Sequence, residues 1–194
     1  MGVYGFRALP FFPYNQRRRS RNSSAGGASP SVFRYSTRIM QGRNIYWLIT
    51  AQWLAHYADE WMFGLPAWCT RHFEPLPGSF WISMMAVLTV PMIMLGWMAS
   101  RPSAGSGIRL FCAGVQMLFF SNAFFHLITT YVFGEYSPGT ATGVLLFLPL
   151  SLLVWRAVLR EPEVTKSSFT TALVAGFVFH GLVLLNLLVD KSSW

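Results

Sequence analysis

The chain has 194 residues, 53% of them hydrophobic and only 11% charged, against about 25% charged in soluble domains. That deficit, with the apolar residues in long blocks, excludes an ordinary soluble domain and marks a polytopic membrane protein small enough for one domain. The net charge of +8 misleads, because Arg7, Arg17, Arg18, Arg19, Arg21, Arg34 and Arg38 precede Met40 in a stretch without an acid and the remainder carries only +1; nothing here points to nucleic acid.

Residues 1–39 are rich in Arg, Ser and Gly and stand apart from the rest. Three readings compete for them: a disordered cytoplasmic extension, an organelle-targeting segment, or a mis-assigned start with Met40 as the natural one. Each leaves residues 40–194 as the functional domain. Five apolar segments follow, over about Asn44–Phe63, Phe80–Ala99 (with Pro91 inside), Ile108–Phe133, Gly143–Val158 (starting at Thr140 at the earliest) and Phe169–Val189. Each is close to the ~20 residues that span a ~30 Å hydrocarbon core. The expected fold is all-α, a transmembrane helical bundle of about five spans. The connections are short, rich in Pro and Gly, and read as loops. Arg43, Arg101, Arg109, Arg156, Arg160 and Lys166 favour one side, which predicts a cytoplasmic N-terminus in a plasma or inner membrane. Cys69 and Cys112 then fall on opposite faces and cannot pair.

The first segment carries His56, Asp59 and Glu60, at i, i+3 and i+4. On a helix His56 shares a face with both carboxylates. The third segment repeats the device with Asn122 and His126, also i, i+4. Charged side chains inside a membrane cost ~2.5–3.5 kcal/mol on insertion scales and face the bundle interior or a water-filled cavity. The first, third and fifth segments run the same way, and counting residues from their ends puts His56, Glu60, Asn122, His126 and His180 in the same outer half of the membrane. The two polar faces are therefore expected to converge.

Imidazole and carboxylate groups suit a divalent ion such as zinc, iron or manganese. The count is too low for a two-metal carboxylate site, so one ion is expected on His56, Glu60 and His126, with Asp59 and Asn122 at the edge. Catalytic candidates are His56, Asp59, Glu60 and His126; a metal-free carboxylate–histidine acid–base pair is the other chemical reading. His180 is expected only to hydrogen-bond a neighbouring helix, and His72 to lie on the surface. Pro138 and Gly139 fit positions i+1 and i+2 of a type II turn, and Tyr136 is expected to anchor at headgroup level, with a hydroxyl reaching toward the site as the alternative.

These motifs, "HYADE" followed by "GLPAW", then "NAFFH" and "YSPGT", resemble the HXXEE domain family of small integral membrane proteins. The likeness places the first motif at His56, Asp59 and Glu60, a further histidine at His126 and a YXPG motif at Tyr136–Gly139, over about residues 44–189. Asp59 stands where the family motif has its first Glu. The resemblance implies a membrane domain with this site and leaves the reaction open. An enzyme acting on a lipid-like hydrophobic molecule leads the functional readings. A proton- or cation-binding transporter and a non-catalytic assembly factor are the alternatives.

Overall fold

The computed structural model describes residues 44–73 and 75–188. The basic extension 1–39, Glu74 and Val189 lie outside them. The described residues form helices and connecting turns, with no strand among them. A 3-10 turn at Asn44–Tyr46 leads into α1, Trp47–Met62. Then come α2, Leu65–His72; α3, Gly78–Ser100; α4, Ser106–Phe133; α5, Thr140–Val158; and α6, Lys166–Leu188. The all-α bundle expected from the sequence is thus what forms. Four helices, α3 to α6, are long and apolar enough to cross a membrane. The first has 16 residues, ~24 Å at 1.5 Å per residue, and reaches spanning length only together with its 3-10 turn.

The polarity of the bundle is inverted relative to a water-soluble protein. Gln52, His56, Asp59, Glu60, Gln116 and His126 are buried, while Val87, Leu145 and Phe177 are exposed. That arrangement puts apolar side chains against lipid and polar ones against each other, as a multi-pass membrane protein requires.

The central helix is α4, which packs against α3, α5 and α6. Its contacts with α1 and α5 use small residues and buried hydrogen bonds, the adhesives available where lipid removes the hydrophobic drive. Gln52 donates to Gln116 at 2.6 Å, joining α1 to α4. Trp155 Nε1 donates to the Ala113 carbonyl at 3.0 Å and Ser151 to the Gln116 carbonyl at 3.1 Å, joining α5 to α4. Phe119 and Phe147 stack between them, 4.6 Å apart. Against α6, Gly114 and Gly176 meet backbone to backbone, and a Cβ on Gly176 would overlap the Gly114 carbonyl.

Two features depart from the sequence reading. The segment after α1, read as a loop, contains the eight-residue α2. Pro66 sits in its first turn, where its missing N–H costs nothing, and Leu65, Trp68 and Cys69 turn inward against Trp81 and Met85 of α3. In α5, Gly143–Phe147 is a π-helical stretch. It ends two residues before Pro149, which has no N–H to donate. Both cysteines are free and buried, in separate clusters.

The connections meet in two groups. Arg109 pairs with Glu161 at one end of the bundle. At the other end Glu135, in the turn after α4, pairs with Arg71 at 3.0 Å and His72 at 2.6 Å. His72 is therefore not a plain surface residue. It is half-buried and stacks on Phe133 with ring centres 4.0 Å apart.

Candidate metal centre

His56 and Glu60 lie one turn apart on α1 and face His126 of α4. Glu60 Oε1 is 3.2 Å from His56 Nε2 and 3.5 Å from His126 Nε2. One potential ligand atom from each residue lies within 4.8 Å of the others. All three side chains are buried. A tetrahedral ion with bonds of ~2.0–2.1 Å holds its ligand atoms ~3.3–3.4 Å apart, close to the two separations seen.

The hydrogen bonds around Asp59 fix the state of His56. Tyr136 donates its hydroxyl to Asp59 Oδ1 at 2.8 Å. Thr142 donates its N–H at 3.0 Å and its hydroxyl at 2.7 Å to Asp59 Oδ2. Three donors on one carboxyl group leave it purely an acceptor. With its proton directed at Asp59, the Thr142 oxygen accepts from His56 Nδ1, 2.8 Å away. His56 therefore carries a proton on Nδ1, and its Nε2 lies toward Glu60. Asn122 Nδ2, a donor, approaches that same Nε2 at 3.0 Å. His126 places Nδ1 3.1 Å from the buried Ser137 hydroxyl and Nε2 toward Glu60. An outer hydrogen bond on Nδ1 that orients the ring, with Nε2 turned to the cluster, is a common arrangement of a metal-ligating histidine.

The lid of this site is the Ser137–Thr140 turn. Thr140 N–H bonds the Ser137 carbonyl at 3.0 Å, and Gly139 has φ 104 and ψ −13, the geometry of position i+2 in a type II turn. A Cβ on Gly139 would lie 2.7 Å from His56 Cε1 and 2.8 Å from His126 Nε2. Only glycine lets the turn rest on both imidazoles and adopt that φ.

The site residues named from the sequence thus fall into two groups. His56, Glu60 and His126 form the cluster itself. Asp59 and Asn122 border it, Asp59 acting through Thr142 and Asn122 directly on His56. His180 bonds Asn122 Oδ1 through its Nε2 at 3.2 Å, so its expected bond to a neighbouring helix exists and also connects it to the cluster. Tyr136 departs from the expected headgroup anchor, because its hydroxyl turns inward to Asp59. Ser137 and Thr142 were missed; the signal available was a run of hydroxyl residues around "YSPGTAT".

The Glu135 carboxyl, above this site, is held below the usual carboxylate range by the hydrogen bond to His72 and then by that to Arg71.

Comparison with known proteins places these motifs in a family. The family model described as a protein of unknown function with HXXEE motif matches residues 47–154, which include His56–Glu60, His126 and Tyr136–Gly139. The chain belongs to this family. It is also similar to the uncharacterised protein YrkK of Bacillus subtilis (strain 168), 40% identical over 75 residues, covering 37% of this chain and 48% of that relative. The match thus spans about half the relative's length. No solved structure matches the chain.

Proposed function

We propose that this member of the HXXEE family is a membrane-embedded enzyme that holds one divalent metal ion on His56, Glu60 and His126 and acts on a lipid-like molecule. The observation that carries this reading is the convergence of two imidazole Nε2 atoms on one buried carboxylate oxygen. Two imidazoles and one carboxylate at these separations form a ligand set that suits a zinc, iron or manganese ion. Three protein ligands leave a fourth position for water or substrate, as in catalytic rather than structural sites. Held there by His56, Glu60 and His126, such an ion would supply Lewis-acid chemistry toward a substrate oxygen or a water. Asp59, through Thr142, positions His56 without touching the ion. The apolar helices around the site make a hydrophobic molecule arriving from the bilayer the natural substrate class.

The functional unit in this reading is residues 40–194, with a cytoplasmic N-terminus and the site near the opposite face of a plasma or inner membrane. Protein started at Met40 retains insertion and metal content; loss of either assigns the extension a role. The decisive test of the site is metal quantification on protein purified without chelator. One equivalent per chain is expected in the native sequence and almost none in Glu60→Gln, with unchanged helix content. Native protein that stays metal-free after loading with zinc, iron and manganese refutes the reading.

A further inference from the structure

A second feature of the bundle lies on the far side of Asn122 from the cluster. Between α4 and α6 runs a cleft of about 330 Å³, at the lower end of the range of ligand pockets. Its walls are almost wholly apolar, with Phe120, Phe124, Phe125 and Phe177 among them. Phe124 and Phe177 are exposed, so the cleft opens on the bilayer rather than on water. Gly181 also lines it, and a Cβ there would meet nothing within 4 Å. The space next to Gly181 is thus real room, unlike the backbone contact at Gly176 one turn earlier.

One wall is polar in a specific way. His180 lines the cleft and is nearly fully buried, at 5% exposure. Its Nε2 bonds Asn122 Oδ1, which accepts, so Nε2 carries the proton. Nδ1 is then a lone-pair acceptor, and among the described residues it has no partner. The group best suited to meet it is a hydroxyl donor delivered by whatever fills the cleft. A plain hydrocarbon fills the volume and leaves Nδ1 unmet; an ion would find no charge to pair with on phenylalanine walls.

We propose that the cleft between α4 and α6 binds a long-chain lipid-like alcohol from the bilayer, its chain on Phe120, Phe124, Phe125 and Phe177 and its hydroxyl donated to His180 Nδ1. This deepens the enzyme reading above by naming its substrate class, and rests on it for the connection to chemistry. Asn122 bonds His180 with one end of its amide and His56 with the other, so occupancy of the cleft is felt at the cluster.

The test uses the full chain in phosphatidylcholine vesicles containing a long-chain alcohol that bears a photoactivatable diazirine. Labelled peptides are located by mass spectrometry. Labelling is expected to be enriched several-fold at Phe124 and Phe177 over Val87 and Val90 of α3, which are just as exposed. Excess unmodified alcohol should remove the enrichment. Gly181→Leu fills the cleft and should do the same while leaving metal content intact. His180→Ala should reduce labelling by the alcohol and not by the matching hydrocarbon probe. Uniform labelling of all lipid-facing residues, or enrichment indifferent to both competitor and Gly181→Leu, overturns the proposal. The metal content of the native chain separates the two claims. Selective cleft labelling in native protein that takes up no metal keeps the lipid site and removes the metal-dependent reaction; metal without selective labelling does the reverse.

Discussion

Replacing Gly139 by alanine tests the lid more sharply than removing a ligand, because it touches no donor atom. The added Cβ falls 2.7 Å from His56 Cε1 and 2.8 Å from both Cε1 and Nε2 of His126, so either the turn lifts or the rings rotate. Overpacking of this kind costs about 1–3 kcal/mol, and a non-glycine residue at positive φ adds roughly 1–2 kcal/mol. Gly134→Ala is the matched control. Gly134 also has positive φ, 65, but a Cβ there meets nothing within 4 Å. It carries the backbone cost alone. The difference between the two variants therefore contains the crowding of the imidazoles together with the less favourable φ of Gly139, and bound metal reads the crowding. Gly139→Ala should lower the thermal midpoint in detergent well below that of Gly134→Ala and lose bound metal, while Gly134→Ala keeps it. If the two variants match in midpoint and metal content, the turn does not rest on the histidines and the described geometry is wrong.

Thr142→Val keeps the shape of the side chain and removes the hydroxyl between Asp59 and His56; metal affinity should fall about 10–100-fold, with Thr142→Ser restoring it, and unchanged affinity would detach Asp59 from the site. Gly176→Ala forces α6 away from the Gly114 backbone, which cannot yield as a side chain can; it should cost about 1–3 kcal/mol or more, read as loss of the folded monomer in detergent, whereas Gly107→Ala, which meets nothing within 4 Å, should not. The Glu135 contact has a defined pH dependence. A carboxyl group depressed on folding contributes stability that is fully present above its unfolded value, about 4.3, and that disappears as pH falls through the lower folded value. A carboxyl NMR titration should place Glu135 below the ordinary range, and the double substitution Arg71→Ala, His72→Ala should return it; an identical titration in both denies the pairing. Topology reporters should read cytoplasmic after Arg160 and external after Gly139, and the reverse pattern would move the site to the cytoplasmic half.

The positions of the helices and the two halves of the site were open to sequence reasoning for one reason. Ionisable residues inside apolar segments have few places to go, so the spacing of His56 and Glu60, and the depth of His126, suffice to predict convergence. The type II turn was legible because proline and glycine fix backbone angles wherever they occur. The remainder depends on tertiary contacts with no local signature. Thr142 and Ser137 are hydroxyl residues of the kind found in any loop, and only the fold shows that one lies against His56 and the other against His126. Tyr136 had two plausible partners, headgroup and carboxylate, and the approach of α1 to the turn decided for Asp59. His72 and Arg71 came from a segment read as irregular, because Gly64-Leu65-Pro66 suggests a break; that proline instead opens α2, which carries both side chains to Glu135.

The central claim, one metal ion on two imidazoles and a carboxylate, is tested most directly by X-ray absorption at the metal edge of the purified full chain. The account predicts two imidazole nitrogens at ~2.0–2.1 Å and a carboxylate oxygen at ~2.0–2.2 Å, with one imidazole lost in His126→Ala. A spectrum dominated by sulfur ligands, or one whose imidazole count is unchanged by His126→Ala, would contradict it.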